Sequence, residues 1–190
     1  MRTKRHKKWS LGSMFSSWRI RARLFWHRFD KAPLIVVLVV GIVAAGFGLL
    51  LRSMSADSAD RRSLMCLALN VYFEARGEPE AGQYAVAEVT MNRVASPYYP
   101  DSVCEVVYQK NWDPSRKRYV AAFSWTEFQS VPEPHGKEWR RAWKIAEDVY
   151  YERREPKLAG VLNYHTNRVD PSWSQGKKPI AEIGKHRFYK

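Results

Sequence analysis

Residues 63–94, SLMCLALNVYFEARGEPEAGQYAVAEVTMNRV, decide the fold. Leu64, Leu67, Ala68, Val71 and Tyr72 recur at i, i+3, i+4, i+7 and i+8, so they share one helical face. Ser63 is placed to cap that helix, and Gly77 to end it. Pro79 suits the first turn of a second helix, which is apolar most of the way round and therefore central. Glu74 follows Leu67 by seven residues and lies on the apolar side near the end of the first helix. Burial and the negative end of the helix dipole both make such a carboxyl hard to ionise, as a general acid requires. The plainer alternative is a carboxylate paired with Arg76 or Arg93 for structure alone. By position alone, Glu88 in the second helix is a second candidate acid. Glu78, between Gly77 and Pro79, reads as a cap or an ion-pair partner of Arg76.

The rest of the chain surrounds this pair. Residues 1–31 hold ten Lys or Arg against one acid, Asp30, a net +9 out of the +13 of all 190 residues. Ala32 to Leu51 is uncharged and would span about 30 Å as a helix, the thickness of a bilayer core. The basic flank predicts a cytoplasmic N-terminus and an external C-terminal domain. A cleaved signal peptide is the rival, with a shorter apolar core and a small-residue cleavage site. Interleaved aromatic and basic residues over 14–29 suit either a helix on the anionic leaflet or a solvated tail. A basic nucleic-acid binder is excluded, because the charge flanks the apolar span. Residues 52–62 read as a short polar linker.

Beyond the central pair, a short helix follows Asp101, and 111–117 reads as a polar loop. Tyr119 to Phe128 is aromatic and apolar. Residues 129–137 form a loop that could edge a cleft. Residues 138–152 make an amphipathic helix whose stripe includes Trp139, Ala142, Trp143 and Ala146. Residues 161–165 and 182–189 read as short strands. The expected fold is α+β: a mostly helical domain over 63–190 with a small β element, preceded by one transmembrane helix. Cys66 and Cys104 fall in the external domain, where they either pair, stapling the third helix to the core, or stay as buried thiols.

Several words carry a resemblance. They are Tyr72-Phe73-Glu74-Ala75-Arg76-Gly77-Glu78, Gly82-Gln83-Tyr84-Ala85-Val86-Ala87, Asn92-Arg93-Val94, Phe123-Ser124-Trp125, Asn163-Tyr164-His165 and Ile183-Gly184-Lys185-His186-Arg187-Phe188-Tyr189. Together, over about residues 63–190, they resemble the SleB/CwlJ-type cell wall hydrolases. The resemblance implies a lysozyme-like or SleB-like catalytic domain and peptidoglycan as partner, with Glu74 as catalytic acid. Substrate contacts are then expected from Trp125, Tyr164 and Tyr189 by ring stacking, and from Gln83, Ser124 and His186 by polar contact. The resemblance requires no acid at Glu88, which ranks that residue as structural, and it implies no cofactor and no metal.

Cutting the β-1,4 bond between N-acetylmuramic acid and N-acetylglucosamine needs a proton on the leaving oxygen. A hydrolase of the usual kind adds a second carboxylate, whereas a lytic transglycosylase uses the sugar's own C6 hydroxyl. One well-placed acid fits the latter. Two alternatives stay open. The first is a zinc amidase drawing ligands from His135, His165, His186 and acids such as Glu74 or Asp170, although no His-Glu-x-x-His spacing is present. The second is a peptidoglycan-binding module without catalysis.

Overall fold

The computed structural model describes residues 31–114 and 116–190. The basic segment and the amphipathic reading of 14–29 therefore lie outside the described residues, Lys31 excepted. The chain divides into two compact units, 1–54 and 55–190.

The first long element, α1, is one helix over Ala32–Ala75. In the first unit its residues are exposed and strongly apolar, with a mean hydropathy of 3.0 over the most apolar window. Among the described residues it is the one helix long and apolar enough to cross a membrane. The expected break at 52–62 is absent, and Ser63 lies inside the helix rather than capping it. The physical reason is local. The segment has no Gly or Pro, and Ser53 and Ser58 donate their hydroxyls to the carbonyls of Leu50 and Ser55, at 2.8 Å each, so their polar groups are satisfied without leaving the helix.

In the second unit, the end of α1 packs beside α2, Glu80–Val94. Every residue of α2 from Gly82 to Thr90 is buried, which makes it the expected central helix. A five-residue helix, α3 (Val103–Val107), follows, capped by Ser102. Cys104, in its first turn, forms a disulfide with Cys66 of α1, across Cα atoms 5.3 Å apart. Helix α4, Gly136–Tyr150, turns Ala142, Ile145 and Ala146 into the core, as its stripe predicts. Its last residue, Tyr150, donates its hydroxyl to Asp60 on α1 at 3.0 Å.

There are two small sheets. Strands β1 (Lys110–Asp113) and β2 (Arg118–Ala121) form an antiparallel hairpin where the sequence reading placed a loop. A polar run hides this hairpin, because strand pairing depends on partners rather than on alternation alone. The second sheet has β3 (Asn163–Thr166), β4 (Ala181–Ile183) and β5 (His186–Tyr189) in the order β3-β5-β4, all antiparallel. The expected strand over 182–189 is thus a tight hairpin, broken at Gly184 and Lys185. Phe188 on the central strand is fully buried and joins the sheet to Ala85 and Val89 of α2.

Candidate active site

Glu74 sits one residue before the end of α1. It lines a cleft of about 550 Å³ together with Phe73, Arg76, Ser124, Trp125, Thr166 and His186. Phe128 and residues 130–132 line the same cleft, so the proline-bearing loop does border it. Burial is the chief cause that lifts the Glu74 pKa from 4.5 to about 7. The Arg93 guanidinium and the Tyr164 hydroxyl pull the other way without cancelling it. The Tyr164 hydroxyl approaches Glu74 closely enough to perturb it, yet it stands outside strict hydrogen-bond geometry and is buried with no hydrogen-bond partner among the described residues. Burial, and then the neighbouring carboxylate, hold the Tyr164 pKa well above its ordinary value, so it stays a neutral donor.

The pieces around Glu74 are fixed from behind. Arg93, at the end of α2, donates its Nε–H to the Leu162 carbonyl at 2.8 Å and lies over the rings of Tyr99 and Phe123. The neighbouring Asn92 amide donates to the carbonyls of Leu158 and Val161 at 2.7 and 3.0 Å. These two side chains hold the loop that delivers β3, and with it Tyr164. The opposite wall is held by a buried relay. Trp125 donates its indole N–H to Asn70 Oδ1 at 3.0 Å, the Asn70 amide donates to Thr90, and Thr90 donates to the Val86 carbonyl. Phe73 stacks on Trp125 with ring centroids 4.8 Å apart.

Glu78 forms a clasp between the α1–α2 turn and the β4–β5 turn. Its carboxylate accepts the Lys185 backbone N–H at 2.7 Å and lies 3.9 Å from His186 Nδ1. Gly184, at φ +59°, leaves the space this needs, because a Cβ there would collide with the Glu78 carboxylate. Glu78 is therefore neither a cap nor a partner of Arg76. His186 is 4% exposed, and its Nδ1 has no hydrogen-bond partner. Burial lowers its pKa, against the pull of Glu78, so the ring is neutral at pH 7. Glu88 accepts the N–H groups of Lys157 and Leu158 at 2.9 and 2.8 Å, the structural role expected of it. A second cavity of about 500 Å³, between α2 and the end of α4, contains Glu88, Met91 and Arg154 but not Glu74.

Of the candidate contacts, Ser124, Trp125 and His186 line the cleft, and Tyr164 faces Glu74. Gln83 and Tyr189 do not line it. Gln83 is buried and donates to the Glu78 carbonyl at 3.0 Å. Tyr189 is buried, stacked on His165 and 3.0 Å from its Nε2. Both shape the site from behind, because side chains alternate across β5 and the helix turns Gln83 inward. Phe73, Arg76, Thr166, Phe128 and residues 130–132 are additional lining groups. For Phe73 and Arg76 the signal was their adjacency to Glu74, and for 130–132 it was their place in the loop expected to edge a cleft; only the fold brings Phe128 and Thr166 close. Among the described residues no three His, Cys, Asp or Glu side chains gather as a metal site.

Residues 77–189 match the model of the cell wall hydrolase family, and the chain belongs to that family. It is 31% identical over 122 residues to the spore cortex-lytic enzyme of Bacillus subtilis, covering 64% of this chain and 35% of that protein. It is 43% identical over 130 residues to the spore cortex-lytic enzyme of Bacillus cereus, covering 68% of this chain and 45% of that one. The chain thus spans a third to under half of the length of these relatives. The crystal structure of the catalytic domain of the Bacillus cereus SleB protein superposes with a TM-score of 0.51 at 28% identity, covering 68% of this chain and 91% of that domain. The fold is that of a SleB catalytic domain.

Proposed function

We propose that this protein is a membrane-anchored enzyme that cleaves peptidoglycan as a lytic transglycosylase, with Glu74 as acid and then base. The observation that carries the reading is a carboxyl with a pKa of about 7 at the head of a cleft whose described lining holds no second acid. Glu74 delivers its proton to the oxygen linking N-acetylmuramic acid to N-acetylglucosamine, and the C1–O bond breaks through an oxocarbenium-like state. The resulting Glu74 carboxylate takes the proton of the muramoyl C6 hydroxyl as that oxygen bonds to C1. The products are a 1,6-anhydromuramoyl end and a free N-acetylglucosamine end, with Glu74 protonated again. Tyr164, neutral and without a hydrogen-bond partner among the described residues, is placed to donate a hydrogen bond to Glu74 once it is charged. Phe73, half-buried, offers a ring face; Trp125, only 6% exposed, backs it by stacking, and Ser124 and His186 offer polar contacts to sugar substituents.

The test is incubation of the full chain in detergent with purified peptidoglycan, with and without EDTA, beside Glu74→Gln, with products read by mass spectrometry. Anhydro-muropeptides that survive EDTA and vanish in the variant are expected. Reducing-end products would make it a hydrolase, and free stem peptides lost in EDTA would make it an amidase. Strands bound but not cut would leave a binding module.

A further inference from the structure

The β1–β2 hairpin presents a surface that the reaction at Glu74 does not use. Trp112 and Tyr119 are direct cross-strand partners, so both side chains leave the same face, and their rings meet edge to face with centroids 5.4 Å apart. They are 54% and 64% exposed, large for aromatic side chains. Lys110 lies two residues before Trp112 and therefore shares that face.

The charge of the hairpin is as distinctive as its rings. Residues 110–118 hold Lys110, Arg116, Lys117 and Arg118 against one acid, Asp113. Residues 53–190 hold 21 Lys or Arg and 18 acids, so their net +3 equals the net charge of this hairpin. Arg116 and Arg118 are partly engaged by Asp113 and Glu127 at 3.5 Å each. Lys110 and Lys117 form no ion pair with another described residue.

The hairpin is also joined to the cleft. Strand β2 leads to the 3-10 turn Ser124–Glu127, whose Ser124 and Trp125 line the cleft wall. Glu127 of that turn accepts the Ala121 backbone N–H at 2.8 Å as well as pairing with Arg118. Tyr108, just before β1, meets Trp125 with centroids 5.7 Å apart. A polymer bound in the cleft therefore has the hairpin as a neighbouring surface.

We infer that the Trp112–Tyr119 face, with Lys110 and Lys117, is a distal subsite for the same polymer: a glycan strand whose peptide stems carry free carboxylates. This rests on the function proposed above and extends it. Sugar rings stack on the aromatic pair, and the lysines meet stem carboxylates. Holding one strand at two places raises the effective concentration of each segment at the other. An anionic lipid surface would also suit exposed Trp, Tyr and Lys. The polymer is favoured because the hairpin is built onto the cleft wall.

The experiment is co-sedimentation with intact sacculi, using the full chain in neutral detergent and a Glu74→Gln background so that strands stay uncut. Two variants are compared, Trp112→Ala/Tyr119→Ala and Lys110→Glu/Lys117→Glu, each first checked for an unchanged thermal midpoint. The half-saturating amount of sacculi should rise about tenfold in either variant, equivalent to the loss of one aromatic contact of ordinary strength. With Glu74 intact, turnover of a soluble tetrasaccharide of alternating N-acetylglucosamine and N-acetylmuramic acid, which holds one scissile bond, should be unchanged. Sedimentation equal to the parent in both variants overturns the subsite. So does binding that responds to the variants only on anionic lipid nanodiscs and not on sacculi, which would assign the surface to lipid. If the Glu74 chain releases no product while the variants still lose binding, the catalytic reading fails and the subsite stands.

Discussion

In the role proposed for it, Glu74 couples activity to stability through one proton. Its pKa is about 7 in the folded chain against 4.5 for an ordinary glutamate. Below pH 4.5 both states hold the proton and the group is neutral to stability. Between 4.5 and 7 the folded state holds it and the unfolded state does not, so stability falls as pH rises. Above 7 the buried carboxylate costs about 3 kcal/mol at most. The same titration removes the proton donor, so kcat/KM should fall about tenfold per pH unit above 7. Glu74→Gln should abolish cleavage yet raise the thermal midpoint at pH 8 relative to the parent, with little change at pH 4. A thermal midpoint difference independent of pH would contradict the raised pKa. The position of Glu74 was legible because a single carboxyl interrupts an apolar helical face. The amount of burial was not, since Tyr164 and His186 reach it only through the fold.

Helices were legible where their faces repeat, as in α2 and α4, and Gly77-Glu78-Pro79 marked the turn between α1 and α2. What the sequence hid has one cause: partners distant along the chain. Asn70 gave no pattern of its own, although it links Trp125 to Thr90. The β1–β2 hairpin looked like a polar loop because its pairing, not its alternation, makes it a sheet. Gln83 and Tyr189 belonged to the right words but pointed inward. Glu88 illustrates how much such long-range contacts stabilise. Its carboxylate serves two backbone N–H groups about seventy residues away. Glu88→Ala leaves both donors without that acceptor and should cost about 2–4 kcal/mol in urea unfolding. At low temperature, where the protein stays folded, the pH profile of Glu74 should be unmoved.

At the scale of the whole chain, the disulfide and the apolar helix bear on compartment. Cys66 and Cys104 are 38 residues apart, and closing that loop stabilises by about 4 kcal/mol in the chain-entropy account. Reduction with dithiothreitol should lower the unfolding midpoint accordingly, and Cys66→Ser/Cys104→Ser should match the reduced parent. A bond of this kind forms in an oxidising compartment, which fits a cell wall substrate. The proposed cytoplasmic N-terminus adds an expectation: a C-terminal alkaline phosphatase fusion should be active and a C-terminal green fluorescent protein fusion dark. The reverse pattern would refute the orientation.

The central place of β5 has a temporal consequence. Glu74 precedes Tyr164 by ninety residues and His186 by more than a hundred. Burial is what pushes the Glu74 proton affinity upward, and Thr166 of β3 and His186 of β5 are part of the cleft around it, so the raised value belongs to the folded domain. A chain not yet folded carries an ordinary glutamate, ionised at neutral pH. In the role proposed for Glu74, such a chain has no proton to give, and delivery in an unfolded state would be delivery in an inactive one.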